Sequence, residues 1–394
     1  MDANATTPLL PEVFEAMRPY WMEHYGNASS IHQHGQHARS AVEQSRATIA
    51  RLLRGLNSEI VFTSGGTESD NLALFGVLSP ESTHGEPAHL ITTTIEHHAV
   101  LHAAEALEKT GVEVTYIPVT PEGLIEPAAL KAAIRANTKL VSIMYANNET
   151  GVIQPIHELA AIAHQAGALF HTDAVQVTGK LPLDLSADGP LKNVDLLTFS
   201  GHKMYAPKGI GVLFVRRNVR LAPMMHGGTH ERQRRAGTEN VACIVGLGKA
   251  AQLASEWLTT EGPTQLTALR DRFEQGILSQ IEETGINGDG APRVSNTSNL
   301  YFDHLEAEAL VIALDLKGIS VSGGSACQSG AAEPSHVLTA MGLTPARARA
   351  SIRFSFSRLT TQEEIDEALK IIPAAVARLR ELSPAWRRPE PQTV

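Results

Sequence analysis

At 394 residues, with 43% hydrophobic and 19% charged residues, the chain has the balance of a soluble globular protein, and no apolar run nears the roughly 18 residues of a membrane span. A formal charge of −9 with dispersed basic residues argues against a nucleic-acid partner, RRNVR at 216–220 and HERQRR at 230–235 being local exceptions. Two cysteines cannot form a disulfide framework. The opening MDANATTPLLPEV has neither the basic flank nor the apolar stretch of a signal peptide, which points to the cytoplasm.

From Glu59 to about Val215, short β-branched runs alternate with helical patterns. EIVFT precedes the helical TESDNLALFGVL, and HLITTT precedes HHAVLHAAEALEKT. VEVTYIPV is followed by a turn, TPEGLIEP at 120–127, and by the helical AALKAAIRA. KLVSIMY, ALFHTD, VDLLTF and IGVLFV complete the series. Near-continuous apolar strands separated by amphipathic segments predict an α/β fold whose mostly parallel sheet is covered on both faces. After residue 257 a long helical stretch, LTALRDRFEQGILSQIEET, and fewer strands predict a smaller α+β domain. The expected division is a large domain, 12–257, and a small one made of 1–11 and 258–394. The last helix starts at TTQEEIDEALKII, where Thr361 and Glu364 have capping-box spacing and Ile365, Leu369, Ile372, Val376 and Leu379 share a stripe. Pro373 is expected to kink it, and the Pro-rich tail from Ser383 is expected to be mobile.

In open α/β sheets, ligands collect beyond the carboxyl ends of the strands. EIVFT runs into SGGTESDN, where Gly65, Gly66, Thr67 and a helix N-terminus make an anion site. KLVSIMY runs into Asn147 and Asn148, and ALFHT ends at Asp173 with Gln176 three residues on. VDLLTF runs into SGHK, with Ser200, His202 and Lys203. A phosphate cup, a carboxylate and a lysine after a buried strand are the parts that hold pyridoxal 5'-phosphate: the lysine forms a Schiff base and the carboxylate keeps the pyridine nitrogen protonated. GGSACQSG at 323–330 sets Cys327 among small, flexible neighbours, whereas Cys243, in the apolar NVACIVGLG, reads as a small core residue.

In this order NATTP, GNASSIHQHG, TSGGTESDNLA, TIEHHAV, NNETGVIQPI, HTDAVQ, SGHK, HGGTHERQRRAGTENV, GSACQSG, EPSHVL and SIRFSFS run through essentially the whole chain. The sequence resembles the class I cysteine desulfurases, class V aminotransferase-like enzymes that mobilise sulfur for iron–sulfur clusters. The resemblance implies fold type I of the pyridoxal phosphate enzymes, a homodimer, and L-cysteine as substrate. It implies that Lys203 is the Schiff-base lysine, that Gly66, Thr67, Ser200 and His202 bind the phosphate, and that Asp173 pairs with the pyridine nitrogen. Gln176 and Asn148 would face the phenolic oxygen, with Asn148 also near the substrate, and His97 would stack on the ring and handle a proton. Thr238 would reach the phosphate of the neighbouring subunit, and Arg353 would take the substrate carboxylate. Cys327 would take the sulfur as a persulfide, releasing alanine, and pass it to an acceptor such as an iron–sulfur scaffold or a tRNA-thiolation enzyme.

Departures from that pattern fall at the abrupt start, Met1-Asp2-Ala3-Asn4, and at Ala206, where the family has glycine. A selenocysteine lyase or another class V aminotransferase is the alternative enzyme, and an inactive assembly platform the alternative outside enzymes. His32, His34 and His37 only loosely match metal-ligand spacing, so no metal site is expected.

Overall fold

The computed structural model describes residues 1–323, 334–383 and 386. Cys327 lies outside the described residues, as does most of the tail after Ser383.

The strands are β1 (Ile60–Thr63), β2 (His89–Thr93), β3 (Glu113–Ile117), β4 (Thr138–Ser142), β5 (Leu169–Asp173), β6 (Leu196–Ser200), β7 (Gly211–Val215), β8 (Thr284–Ile286), β9 (Thr297–Phe302), β10 (Ser322–Gly323) and β11 (Ser351–Ser355). The first seven form one sheet in the order β1-β7-β6-β5-β4-β2-β3. Only β7 runs against the others, pairing antiparallel with both β6 and β1. Alternation along the strands then fills two cores. Phe62, Ile91, Val141, Phe170, Leu197 and Val212 face one, which also takes buried residues of helices Gln33–Leu53 and Val241–Leu258. Val61, Leu90, Leu140, Leu196 and Leu213 face the other, against helices Gly66–Leu78 and His98–Glu108. This is the expected α/β sheet covered on both sides, because a period of two sends successive apolar residues to opposite faces.

β8 to β11 make an antiparallel sheet in the order β10-β11-β9-β8. A separate apolar cluster joins it to the helices Gly262–Gln280 and Gln362–Leu382, with Phe273 packed on Phe354 at 4.9 Å between ring centroids. The chain start runs beside β11: Ser355 N–H donates to the Met1 carbonyl (2.9 Å) and Ala3 N–H to the Ser355 carbonyl (3.0 Å).

The capping box at Thr361 forms, with Thr361 N–H donating to Glu364 Oε2 (3.0 Å) and Glu364 N–H to Thr361 Oγ1 (3.3 Å). That helix continues through Pro373 to Leu382; the ring removes one backbone donor without ending the helix. Cys243 proves to be half-buried at the edge of the main core, since it occupies the first turn of its helix. The turn after Lys203 accommodates Ala206 because the left-handed dihedral falls on Tyr205, whose φ is 61°. Among the described residues no helix is long and apolar enough to cross a membrane, and no three His, Cys, Asp or Glu could hold a metal ion. His32 instead caps its helix, its Nδ1 accepting from Gly35 N–H at 3.3 Å.

Candidate active site

The carboxyl ends of β1, β4, β5 and β6 open onto one cavity of about 410 Å³, lined by Gly66, Thr67, His97, Asn148, Asp173, Gln176, Ser200, His202, Lys203 and Arg353. Ten of the residues expected from the sequence therefore meet in one place. Thr238 does not line it; it is exposed, on the loop that follows three left-handed residues, Glu231, Arg232 and Gln233. That loop is anchored by Glu231, whose buried carboxylate takes both Nη atoms of Arg46 at 2.8 Å and the Phe62 N–H at 2.9 Å.

One end of the cavity suits an anion. Helix Gly66–Leu78 begins at Gly65, which offers no side-chain cap, so the first N–H groups of the helix point outward at β1's end. A Cβ on Gly66 would come within 3.0 Å of Val175 Cγ2 and 3.6 Å of Ser200 Cβ, so glycine keeps this approach open. The Ser200 and Thr67 hydroxyls and the His202 ring join it. His202 Nδ1 lies 3.2 Å from Thr6 Oγ1. Burial, then the positive charges of Lys203 and Lys208, lowers the His202 pKa to about 4.

The middle of the cavity is set by Lys203, on the short turn after β6. Its ammonium donates to the Ala5 carbonyl at 2.8 Å and to the Asn4 carbonyl. Asp173 closes β5; its Oδ1 accepts from Val175 N–H at 2.8 Å. Burial raises its pKa to about 6 against that hydrogen bond and the charge of Lys203, and a cation placed beside it would restore the carboxylate. Two further buried groups lie nearby. Asp70 is raised well above the carboxylate range by burial and by Asp173, and its Oδ1 has no hydrogen-bond partner among the described residues. His171 is lowered by burial to about 3 and is held between Ser142 Oγ (2.8 Å) and Thr198 Oγ1 (3.1 Å).

His97 caps helix His98–Glu108 with Nδ1 accepting from Ala99 N–H at 3.1 Å. Burial, followed by the charges of His98 and Lys203, brings its pKa to about 4, so near neutral pH the ring is uncharged with its proton on Nε2. The preceding Glu96 is fully buried; its Oε1 accepts from Thr93 Oγ1 (2.9 Å) and Met144 N–H (2.8 Å), and burial lifts its pKa to about 8. This neutral acid ties the ends of β2 and β4 together and holds the turn that presents His97.

Also on the cavity wall, Arg353 on β11 donates from Nη1 to the Asn148 carbonyl (3.1 Å) and from Nη2 to Asp2 Oδ1 (2.8 Å) and Ser322 Oγ (3.2 Å). Its buried Nε has no partner among the described residues. Sequence reasoning left out Asn4, Ala5, Asp70, His98, Glu149 and His336, which also line the cavity. All six fall within the motifs NATTP, TSGGTESDNLA, TIEHHAV, NNETGVIQPI and EPSHVL, which are the signal that could find them.

The donor set fits pyridoxal 5'-phosphate: an uncapped helix N-terminus with two hydroxyls for a phosphate, a lysine for an aldehyde, and a buried carboxylate raised in pKa until it meets a cation. The family profile Aminotransferase class-V matches residues 1–368. Cysteine desulfurase 2 of Trichormus variabilis is 50% identical over 98% of this chain and 94% of its own length. The cysteine desulfurase IscS of Dictyoglomus turgidum is 46% identical over 98% and 96%. Among solved structures, a NifS-like protein superposes with a TM-score of 0.87 at 36% identity, covering 96% of this chain and 99% of its own. SspA in complex with cysteine gives 0.80 at 38%, covering 91% and 99%. The chain belongs to the class-V aminotransferase family, on the branch of the cysteine desulfurases.

Proposed function

We propose that this protein is a pyridoxal 5'-phosphate-dependent cysteine desulfurase that converts L-cysteine to L-alanine, takes the sulfur on Cys327 as a persulfide and passes it to an acceptor for iron–sulfur cluster assembly or thiolation. The observation that carries this reading is the convergence of Lys203, Asp173, His97 and Arg353 on one cavity with an anion cradle at its end. Two separate apolar cores, one under the seven-stranded sheet and one under the four-stranded sheet, support a division into a large domain, 12–257, and a small one made of 1–11 and 258–394, although Leu10 and Val294 pack into the larger core.

When bound, the coenzyme supplies an electron sink for the pair released at the substrate's Cα. The phosphate would sit on the N–H groups of Gly66 and Thr67 with Ser200 and His202, and Asp173 would hold the proton on the pyridine nitrogen. Asn148 and Gln176 would contact the phenolic edge. Arg353 fixes the substrate by its α-carboxylate, which its planar, charged guanidinium suits. Lys203 Nζ takes the Cα proton. His97, uncharged, passes the proton on Nε2 to one partner and takes another back. At Cys327 an S–S bond forms as the substrate's Cβ–S bond breaks; the electron pair stays on the carbon side, which is protonated and leaves as alanine.

Two observations support a homodimer. Thr238 is exposed and off its own cavity wall, as suits a residue that reaches a neighbour's phosphate. Phe14, Trp21, Met22, Tyr25 and Ile31 also present exposed apolar side chains near the chain's start. The test is to supply the purified protein with pyridoxal 5'-phosphate and L-cysteine and assay alanine. Wild type should form alanine and carry a visible chromophore, and Lys203→Ala should show neither; equal alanine formation by both would overturn the reading.

A further inference from the structure

Lys180 lies on the loop between β5 and β6, outside every motif assigned above, yet its ammonium is buried beside the site. It donates to Gln176 Oε1 at 3.1 Å and to Asn4 Oδ1 at 3.4 Å. Burial, then the charges of Lys203 and Arg353, lowers its pKa to about 7. In its protonated form Lys180 has donors and no acceptor, so the amide atom facing it is then an oxygen. For Gln176 this leaves Nε2 as the atom turned the other way, and that nitrogen donates to the Asn4 carbonyl at 3.3 Å, next to Lys203 Nζ on the same carbonyl. The Asn4 amide is oriented by the same logic. Its Nδ2 donates to the Asn148 carbonyl (3.2 Å) and Thr297 Oγ1 (2.8 Å), while Oδ1 accepts from Lys180 and from Asn296 Nδ2 (3.0 Å).

We propose that Lys180 is a positioning residue: it pins the Gln176 amide so that the cavity receives an N–H donor there, and thereby selects a coenzyme whose ring carries an acceptor oxygen at that edge. This rests on the pyridoxal phosphate reading of the site. Without Lys180 the Gln176 amide keeps only its long bond to the Asn4 carbonyl, at 3.3 Å, and its oxygen can more readily turn toward a ring oxygen that also has lone pairs. When protonated, Lys180 also adds to the positive field of Lys203 and Arg353, which favours an anionic phenolic oxygen.

The test compares pyridoxal 5'-phosphate with 3-deoxypyridoxal 5'-phosphate, which lacks that oxygen, by titrating cofactor-free wild type, Lys180→Met, Lys180→Arg and Gln176→Leu and reading binding from absorbance and fluorescence. Lys180→Met should weaken pyridoxal 5'-phosphate about tenfold and the deoxy analogue by no more than about twofold, with Lys180→Arg recovering most of the loss. Gln176→Leu should show the same selectivity, and adding Lys180→Met to it should cost little more, which keeps the proposal testable should the single lysine variant fold poorly. Equal weakening of both ligands, or none, overturns it. A wild type that binds neither ligand overturns the reading of the site, and the role of Lys180 falls with it.

Discussion

The guanidinium of Arg353 stands between Asp2 and Asn148, with Nη2 2.8 Å from Asp2 Oδ1 and Nη1 3.1 Å from the Asn148 carbonyl. The first residues of the chain thus brace a side chain carried by β11, nearly the whole sequence away. Asp2 fixes the plane of the guanidinium, whose buried Nε has no partner among the described residues. A lysine at 353 could keep one of these bonds but not the fork. Arg353→Lys should raise KM for L-cysteine about tenfold or more and change kcat less. Steady-state kinetics check this; an unchanged KM would place the substrate carboxylate elsewhere.

His97 is presented by its own helix cap and is uncharged near neutral pH, its pKa lowered to about 4. His97→Ala should slow alanine formation about 100-fold or more, the usual size of a positioned acid–base contribution. The visible absorbance of the bound coenzyme should remain largely in place, because Lys203 and the anion cradle are untouched. Single-turnover kinetics with L-cysteine separate the two effects, and unchanged turnover would remove His97 from the chemistry.

Glu96 gives a pH dependence whose sign is set by its raised pKa. Folded, it holds its proton to about pH 8; unfolded, it releases it near 4.5. Over that window the unfolded state binds fewer protons, so this group lowers stability as pH rises. Glu96→Gln imitates the protonated acid at all pH values. Denaturant titrations of the cofactor-free proteins should therefore show the variant gaining on wild type from pH 5 to pH 8, and a constant difference would contradict the assignment.

The Arg46–Glu231 pair is buried on both sides, at 2.8 Å. Glu231→Ala would leave an unpaired buried guanidinium and free the Phe62 N–H, at a cost of about 3–5 kcal/mol. Because Glu231 also roots the loop bearing Thr238, coenzyme affinity should fall together with the denaturation midpoint. A loss below about 1 kcal/mol would show that the pair is dispensable.

Much of this arrangement was readable before any coordinates. Apolar runs marked all seven strands of the large sheet, and polar residues just past their ends marked the cavity. The reading of KLVSIMY ran past Ser142, where β4 ends, because the next residues still bond to the neighbouring segment: Ile143 N–H reaches the His171 carbonyl at 3.1 Å. The four-stranded sheet was less legible, since β8 and β10 are too short for a pattern and β9, TSNLYF, begins with polar residues. Asn4 under Lys203, Asp2 against Arg353 and Lys180 against Gln176 were hidden for another reason. The first two contacts join residues far apart in sequence, and the third rests on a lysine whose surroundings alone distinguish it from a surface one. Cys243 read as core because its neighbours are apolar, but its helix turns it to the margin.

The account stands or falls on sulfur reaching Cys327. After one turnover with L-cysteine in the absence of reductant, intact and peptide mass spectrometry should find wild type heavier by one sulfur atom on the peptide bearing Cys327, with one alanine released per site. Cys327→Ala should show no added sulfur and almost no alanine. Full alanine formation by that variant, or a sulfur adduct mapped to Cys243, would contradict the account.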